Sequence, residues 1–286
     1  MKIAVASGKG GTGKTTVATN LAQVAARNGR SVTYVDCDVE EPNGHIFLKP
    51  EITRSERVTS LIPQADEARC SLCGECGEIC RYSAIACVGT RVLVFPALCH
   101  ACGGCRLVCP EDAIVEVPRE IGLLETGRAG AVQFAQGVLN IGEAMSPRVI
   151  KAVKAAAPEA ELVITDAPPG TSCPVIESIR GCDFVLLVTE PTPFGLNDLK
   201  LAVEMVRALE VPFGVLINRA DVGDRAVHSY CHSERIRILV EIPDDRRIAE
   251  AYSRGELICE ALPEYAASFG ELLQEVTQEA TTVARI

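Results

Sequence analysis

The sequence predicts an α/β protein whose mostly parallel, doubly wound sheet is interrupted by a small inserted α+β domain. Three observations carry this. A β-branched run from Lys2 to Ser7 is followed by a helical period from Thr15 to Asn28 and a second apolar run, SVTYVD, at residues 31–36, which together make a βαβ unit. The pattern returns after residue 160 as ELVITD, DFVLLVTE, PFGVLIN and RIRILVEI, near-continuous apolar runs of the kind buried on both faces of a parallel sheet. Between the two blocks, long apolar periodicity stops and nine cysteines fall, eight of them in two closely spaced runs.

Taken in order, the first block spans residues 1–64, the insert 65–118, and the returning block 119–286, so the larger domain is discontinuous. Helices are predicted over Leu196–Leu209 and Asp245–Arg254, with a further one from Pro263 onward. A chain of 286 residues with 48% hydrophobic and 23% charged residues lies in the ordinary globular range. Its net charge of -10 argues against nucleic acid as principal partner. No apolar run approaches the ~20 residues of a bilayer span, and MKIAVASGKGG breaks into glycine before an apolar leader forms. These features predict a cytoplasmic protein with no stable membrane anchor. The 14 cysteines then point to metal, because that compartment keeps thiols reduced.

The insert contains an internal repeat. Cys70, Cys73, Cys76, Cys80, Ala84 and Ile85 recur 29 positions later as Cys99, Cys102, Cys105, Cys109, Ala113 and Ile114. Each run reads CxxCxxCxxxC, and Pro110 follows the second. Of the other cysteines, Cys37, Cys87, Cys182 and Cys259 read as small buried residues.

Gly8 to Thr15, GKGGTGKT, matches GxxxxGK[ST] between a strand and a helix, the context a phosphate-binding loop requires. Gly8, Gly10, Gly11, Thr12 and Gly13 let successive N–H groups face phosphate oxygens. Lys14 reaches the β/γ-phosphates, Thr15 ligates Mg²⁺, and Thr16 continues into the helix. Lys9 is a second lysine that cradling from the same chain does not need.

With Lys9, KGGTGKTT resembles the deviant Walker A loop of the MinD, ParA and nitrogenase iron protein class of P-loop ATPases. The resemblance implies that Lys9 reaches a partner subunit's nucleotide, and so an ATP-dependent homodimer with Lys9, Lys14 and Asp38 catalytic. Asp36 and Asp38 in VDCDVEEPN resemble the class's outer-shell metal carboxylate and its switch I aspartate. Asp166, followed by APPG, resembles the Walker B aspartate that holds Mg²⁺ through water. Asn218, Arg219 and Pro243 (INR, EIPDD) resemble its base-side segments, and the resemblance favours ATP over GTP although Asn218–Asp221, NRAD, approaches a guanine-reading motif.

The paired cysteine runs resemble the bacterial two-cluster ferredoxin pattern, which implies an inserted ferredoxin-like domain with two 4Fe-4S clusters. It assigns Cys70, Cys73, Cys76 and Cys109 to one cluster and Cys99, Cys102, Cys105 and Cys80 to the other; zinc is the alternative. Arg81 departs from the proline expected after Cys80. Cys173 stands where the nitrogenase iron protein has one ligand of an intersubunit cluster, but the second ligand is missing. Together these resemblances imply slow, partner-stimulated MgATP hydrolysis. They also imply electron transfer or partner docking through the clusters, with an unidentified redox or cluster-accepting protein. The alternatives are a cluster assembly or delivery ATPase and a MinD-like positioning protein.

Overall fold

The computed structural model describes residues 1–283. The strands are β1 (Lys2–Ala6), β2 (Val32–Asp36), β3 (Glu51–Ala65), β4 (Ile85–Val88), β5 (Arg91–Val94) and β6 (Ile114–Ala129), then β7 (Val132–Leu139), β8 (Leu162–Asp166), β9 (Phe184–Thr189), β10 (Phe213–Asn218) and β11 (Ile238–Ile242). The helices are α1 (Lys14–Arg27), α2 (Gly44–Leu48), α3 (Glu75–Ile79), α4 (Gly104–Leu107), α5 (Ser146–Ala156) and α6 (Cys173–Ile179), then α7 (Pro193–Ala208), α8 (Ala226–Ser233), α9 (Arg246–Ser253), α10 (Ile258–Ala261) and α11 (Glu264–Val283).

Nine strands form one sheet in the order β11-β10-β9-β1-β8-β2-β7-β6-β3. From β11 through β7 every pairing is parallel, and β6 and β3 add antiparallel. The central strands are apolar on both faces because both are covered. On one side Ile3, Val5, Tyr34 and Phe184 pack with Leu21 of α1 and Phe269, Leu272 and Val276 of α11. On the other, Ala4, Val185, Leu187 and Val215 meet Val175 of α6, Leu199 and Val203 of α7 and Val227 of α8. A third apolar layer sets Val149, Ile150 and Val153 of α5 against Val35, Ile121 and Ala135.

β3 and β6 are a feature the periodicity did not show. They pair from Glu51↔Arg128 to Ala65↔Ile114 as a long antiparallel ribbon. Most of β3 is exposed or half-buried on both faces, so selection for burial imposed no alternation of apolar and polar residues. Pro63 sits on it without breaking a ladder, since β3 is the sheet's edge. Residues 66–113, with both cysteine runs, lie at the end of this ribbon. They hold α3, the β4–β5 hairpin and α4 around a small core of Cys76, Ile85 and Ile114. Among the described residues, no helix is long and apolar enough to cross a membrane.

Candidate functional site

β1 ends at Ala6 and the chain curls through Gly8–Gly13 into α1. At Gly13 φ is +94° and an added Cβ would stand 2.7 Å from Asn218 Nδ2, so the backbone needs glycine on two counts. At Gly8 a Cβ would lie 2.2 Å from the Asp198 carbonyl oxygen. Asn218 Nδ2 donates to the Thr12 carbonyl at 2.9 Å, tying the end of β10 to the loop. Thr12 Oγ1 is buried with no hydrogen-bond partner. Burial lowers the Lys14 pKa, opposed by the charges of Asp166, Asp38 and Asp36.

The carboxylates converge because β2 and β8 are neighbours in register, Asp36 opposite Asp166. Asp36 accepts from the Asp38 N–H (3.1 Å) and the Gly44 N–H (2.9 Å); burial, then the Asp166 charge, push its pKa well up. Asp166 is also raised by burial, against the Lys14 charge and hydrogen bonds from Thr15 and Tyr34. Asp38, more open, is raised to about 6 by burial and by Asp166. Three raised carboxyls beside one lysine and the Thr15 hydroxyl make a cradle that gains from a divalent cation. Asp166 Oδ1, buried without a partner, fits that reading.

Tyr34 escaped sequence reasoning. Its fully buried hydroxyl donates to Asp166 Oδ2 at 3.0 Å. It also lies 2.3 Å from where a Gly44 Cβ would stand, so α2 begins in contact with the Asp166 support. A tyrosine in an apolar strand carries no signal beyond core packing, and the strand pairing had to be known first.

Asn218, Arg219 and Pro243 line one cavity of about 270 Å³ with Gly11, Gly13, Thr16 and Val17 of the loop and α1. Ile242, Ile248, Ala249, Tyr252 and Ile258 complete its apolar wall, a shape and polarity suited to a flat base. Asp221 takes the Asp244 N–H at 2.6 Å and is not part of this wall. Lys9 Nζ lies 3.6 Å from Glu190, whose other oxygen lies 3.2 Å from Arg219; Glu190 is nearly buried and was also missed.

In the ribbon-borne segment, Cys80, Cys99, Cys102 and Cys105 line one cavity with Tyr82, His100 and Glu116. Three of these thiols come from the second run and one from the first. The Ala84 N–H donates to Cys80 Sγ and the Ala113 N–H to Cys109 Sγ, each at 3.3 Å, and the Ala101 N–H to Cys99 Sγ at 3.4 Å. The first two are repeat-related. Cys76 lies near Cys70 and is part of the small core against which Cys80, Cys87, Cys105 and Cys109 pack. Cys73 is exposed. Among the described residues, no three His, Cys, Asp or Glu side chains are drawn together as a single-ion site. Four thiols on one small cavity, with N–H bonds reaching Cys80 and Cys99, are donors of the kind that iron or zinc takes. Arg148 of α5 donates to the Ala101 carbonyl at 3.0 Å, joining the sheet's helices to the Cys99–Cys102 loop. Cys173 is exposed at the start of α6.

Residues 3–258 match the family model described as the CobQ/CobB/MinD/ParA nucleotide binding domain. The chain is 30% identical over 280 residues to an uncharacterized protein of Methanocaldococcus jannaschii, covering 97% of each. It is 26% identical over 281 residues to a protein of Pyrococcus horikoshii named iron-sulfur cluster carrier protein, covering 89% of this chain and 77% of that one. Among solved structures, it superposes on the septum site-determining protein MinD complexed with Mg-ADP, from Pyrococcus horikoshii. The TM-score is 0.60 at 20% identity, over 96% of this chain and 95% of that one.

Proposed function

The chain belongs to the CobQ/CobB/MinD/ParA family of nucleotide-binding proteins, and from that premise we propose an ATP-dependent homodimer that couples its nucleotide state to two 4Fe-4S clusters in an inserted ferredoxin-like domain, residues 65–118. The observation that carries the reading is the cavity shared by Cys80, Cys99, Cys102 and Cys105. Contiguous zinc motifs do not require one run to lend its last thiol to the other, whereas a duplicated 4Fe-4S pattern does.

In this reading the Gly8–Thr16 loop binds the phosphates of ATP and the cavity lined by Asn218, Arg219 and Pro243 takes the base. Lys14 neutralises phosphate charge, and Thr15 and Asp166 hold Mg²⁺, Asp166 through water and with Asp36 behind it. Magnesium supplies charge neutralisation at the phosphates when bound. Asp38, with a pKa near 6, is ionised at neutral pH and orients the attacking water. Lys9 leaves Glu190 to reach the partner's nucleotide. Cys70, Cys73, Cys76 and Cys109 hold one cluster, and Cys80, Cys99, Cys102 and Cys105 the other; the clusters supply one-electron chemistry. Two connections run from nucleotide to thiols: Asp36 through Gly44 and α2 into β3, and α5 through Arg148 to Ala101.

Anaerobically purified protein should carry about eight iron and eight sulfide per chain, and ADP should be distinguished from a slowly hydrolysed ATP analogue by the midpoint potential of at least one cluster. Stoichiometric zinc without iron after anaerobic reconstitution would sink the cluster assignment. Identical potentials and partner affinities in both nucleotide states would remove the coupling. A second reading, ATP-driven cluster delivery to an acceptor protein, is favoured by the name of the Pyrococcus horikoshii relative. It requires iron and sulfide to leave for an apo-acceptor during turnover, whereas resident electron-transfer clusters stay with the chain.

A further inference from the structure

The 29-residue repeat extends past the cysteine runs. Ile85 and Ile114, which it relates, both lie in the small core of the segment. Two residues beyond each, the repeat pairs Cys87 of β4 with Glu116 of β6. Glu116 lines the cavity of the second thiol set and is held by Arg106 at 3.0 Å. Cys87 is half-buried and packs in the core that includes Cys76. The Cys76 and Cys87 side chains lie within interaction range of each other, and a Cβ added to Gly77, next to Cys76, would stand 3.8 Å from the Cys87 nitrogen. Cys76 is also the one buried thiol of the two runs.

We propose that Cys87 is a fifth thiol of the first site, hydrogen-bonded to the Cys76 sulfur while Cys76 is the ligand and able to replace it as ligand. The inference rests on the iron–sulfur reading above. In the replacement, the Cys76 sulfur–iron bond breaks as the Cys87 sulfur–iron bond forms, and the proton that Cys87 gives up ends on the released Cys76 thiolate; no electron changes hands. The second site lacks this reserve, because Glu116 is already engaged by Arg106 and a carboxylate is a harder ligand than a thiolate. While Cys76 ligates, a hydrogen bond to its sulfur stabilises the reduced, more negative cluster, and so raises the potential of the first site.

The test is iron and acid-labile sulfide content of anaerobically reconstituted full-length chains, with redox-titrated electron paramagnetic resonance. Binding of a fluorescent ATP analogue verifies that each variant is folded. Cys76→Ala is expected to keep about eight iron, while Cys105→Ala and the double variant Cys76→Ala/Cys87→Ala each fall to about four. Cys87→Ala alone is expected to keep about eight, with one midpoint moved to lower potential. Cys76→Ala at about four iron with nucleotide binding intact, or Cys87→Ala with both potentials unmoved, overturns the inference and leaves the iron–sulfur reading standing. Wild-type protein that takes up zinc and no iron overturns both.

Discussion

Tyr34→Phe removes one oxygen from the centre of the molecule and leaves the ring, and its stacking on Phe134 at 5.7 Å, in place. The lost bond is 3.0 Å long, runs from a hydroxyl to the Asp166 carboxylate, and is fully buried. A hydrogen bond to a charged group contributes about 1.5–3 kcal/mol, and water cannot enter to restore it. That hydrogen bond lowers the Asp166 pKa against the rise caused by burial, so its loss lets a proton compete harder with the cation. Mg²⁺-dependent ATP binding should weaken by roughly 10- to 100-fold, at about 1.4 kcal/mol per decade, and by more near pH 6 than near pH 8. Titrating Mg²⁺ into the protein with a fluorescent ATP analogue, in the two buffers, measures both effects, and the same analogue in EDTA reports the cation-independent part. An unchanged Mg²⁺ midpoint at both pH values would refute the idea that Tyr34 holds Asp166 for the metal.

Lys14→Ala should abolish tight nucleotide binding, whereas Lys9→Ala should bind nucleotide yet stay monomeric with ATP in analytical ultracentrifugation. Glu190→Gln discharges the carboxylate beside Lys9 and should raise ATP-dependent dimerisation about 2- to 5-fold, the worth of a partly exposed ion pair. Without nucleotide, stability should fall as pH rises from about 4 to 6. Asp38, raised to about 6, holds more protons folded than unfolded across that window, and Asp36 and Asp166 shift the same way. Urea midpoints across a pH series give the slope, and saturating MgATP should flatten it. Gly44→Ala should cost about 1–3 kcal/mol or more by overpacking. Tyr34→Phe should rescue it only in part, because the ring Cε1 still lies 2.4 Å from the new methyl; thermal melts of the single and double variants decide this.

The parallel core was legible because strands buried on both faces must be apolar throughout, and the phosphate loop because its turn tolerates few residues. The cysteine repeat was legible because its spacing is local in the chain. β3 and β6 were not, since a ribbon wetted on both faces over much of its length imposes no hydrophobic period; β7 was missed as well, although it is mostly buried. Asn218, Arg219 and Pro243 were named through the resemblance of the segments INR and EIPDD, and they line one cavity with the loop. The apolar side of the same cavity, Ile248, Ala249 and Tyr252, was hidden because α9 reads as any amphipathic helix. Tyr34, Glu190 and Cys87 share another cause. Each lies against a neighbour distant in sequence (Asp166, Lys9) or across a short stretch of chain (Cys76), and a residue's type does not state its neighbour.

The ribbon also says how the chain is divided. Ala65 and Ile114 face each other in register, so the polypeptide leaves for the cysteine segment and returns from it at adjacent points. Topologically, everything from Asp66 to Ala113 is an overgrown hairpin turn. A two-residue type I′ turn has the right span to close the same two strands, and a chain cut and sealed there would keep every pairing of the nine-stranded sheet. Such an excision should leave a nucleotide-binding protein without the two cysteine runs, the Arg106–Glu116 ion pair and the Arg148 contact, a minimal body onto which segments of other chemistry can be grafted between the same two residues.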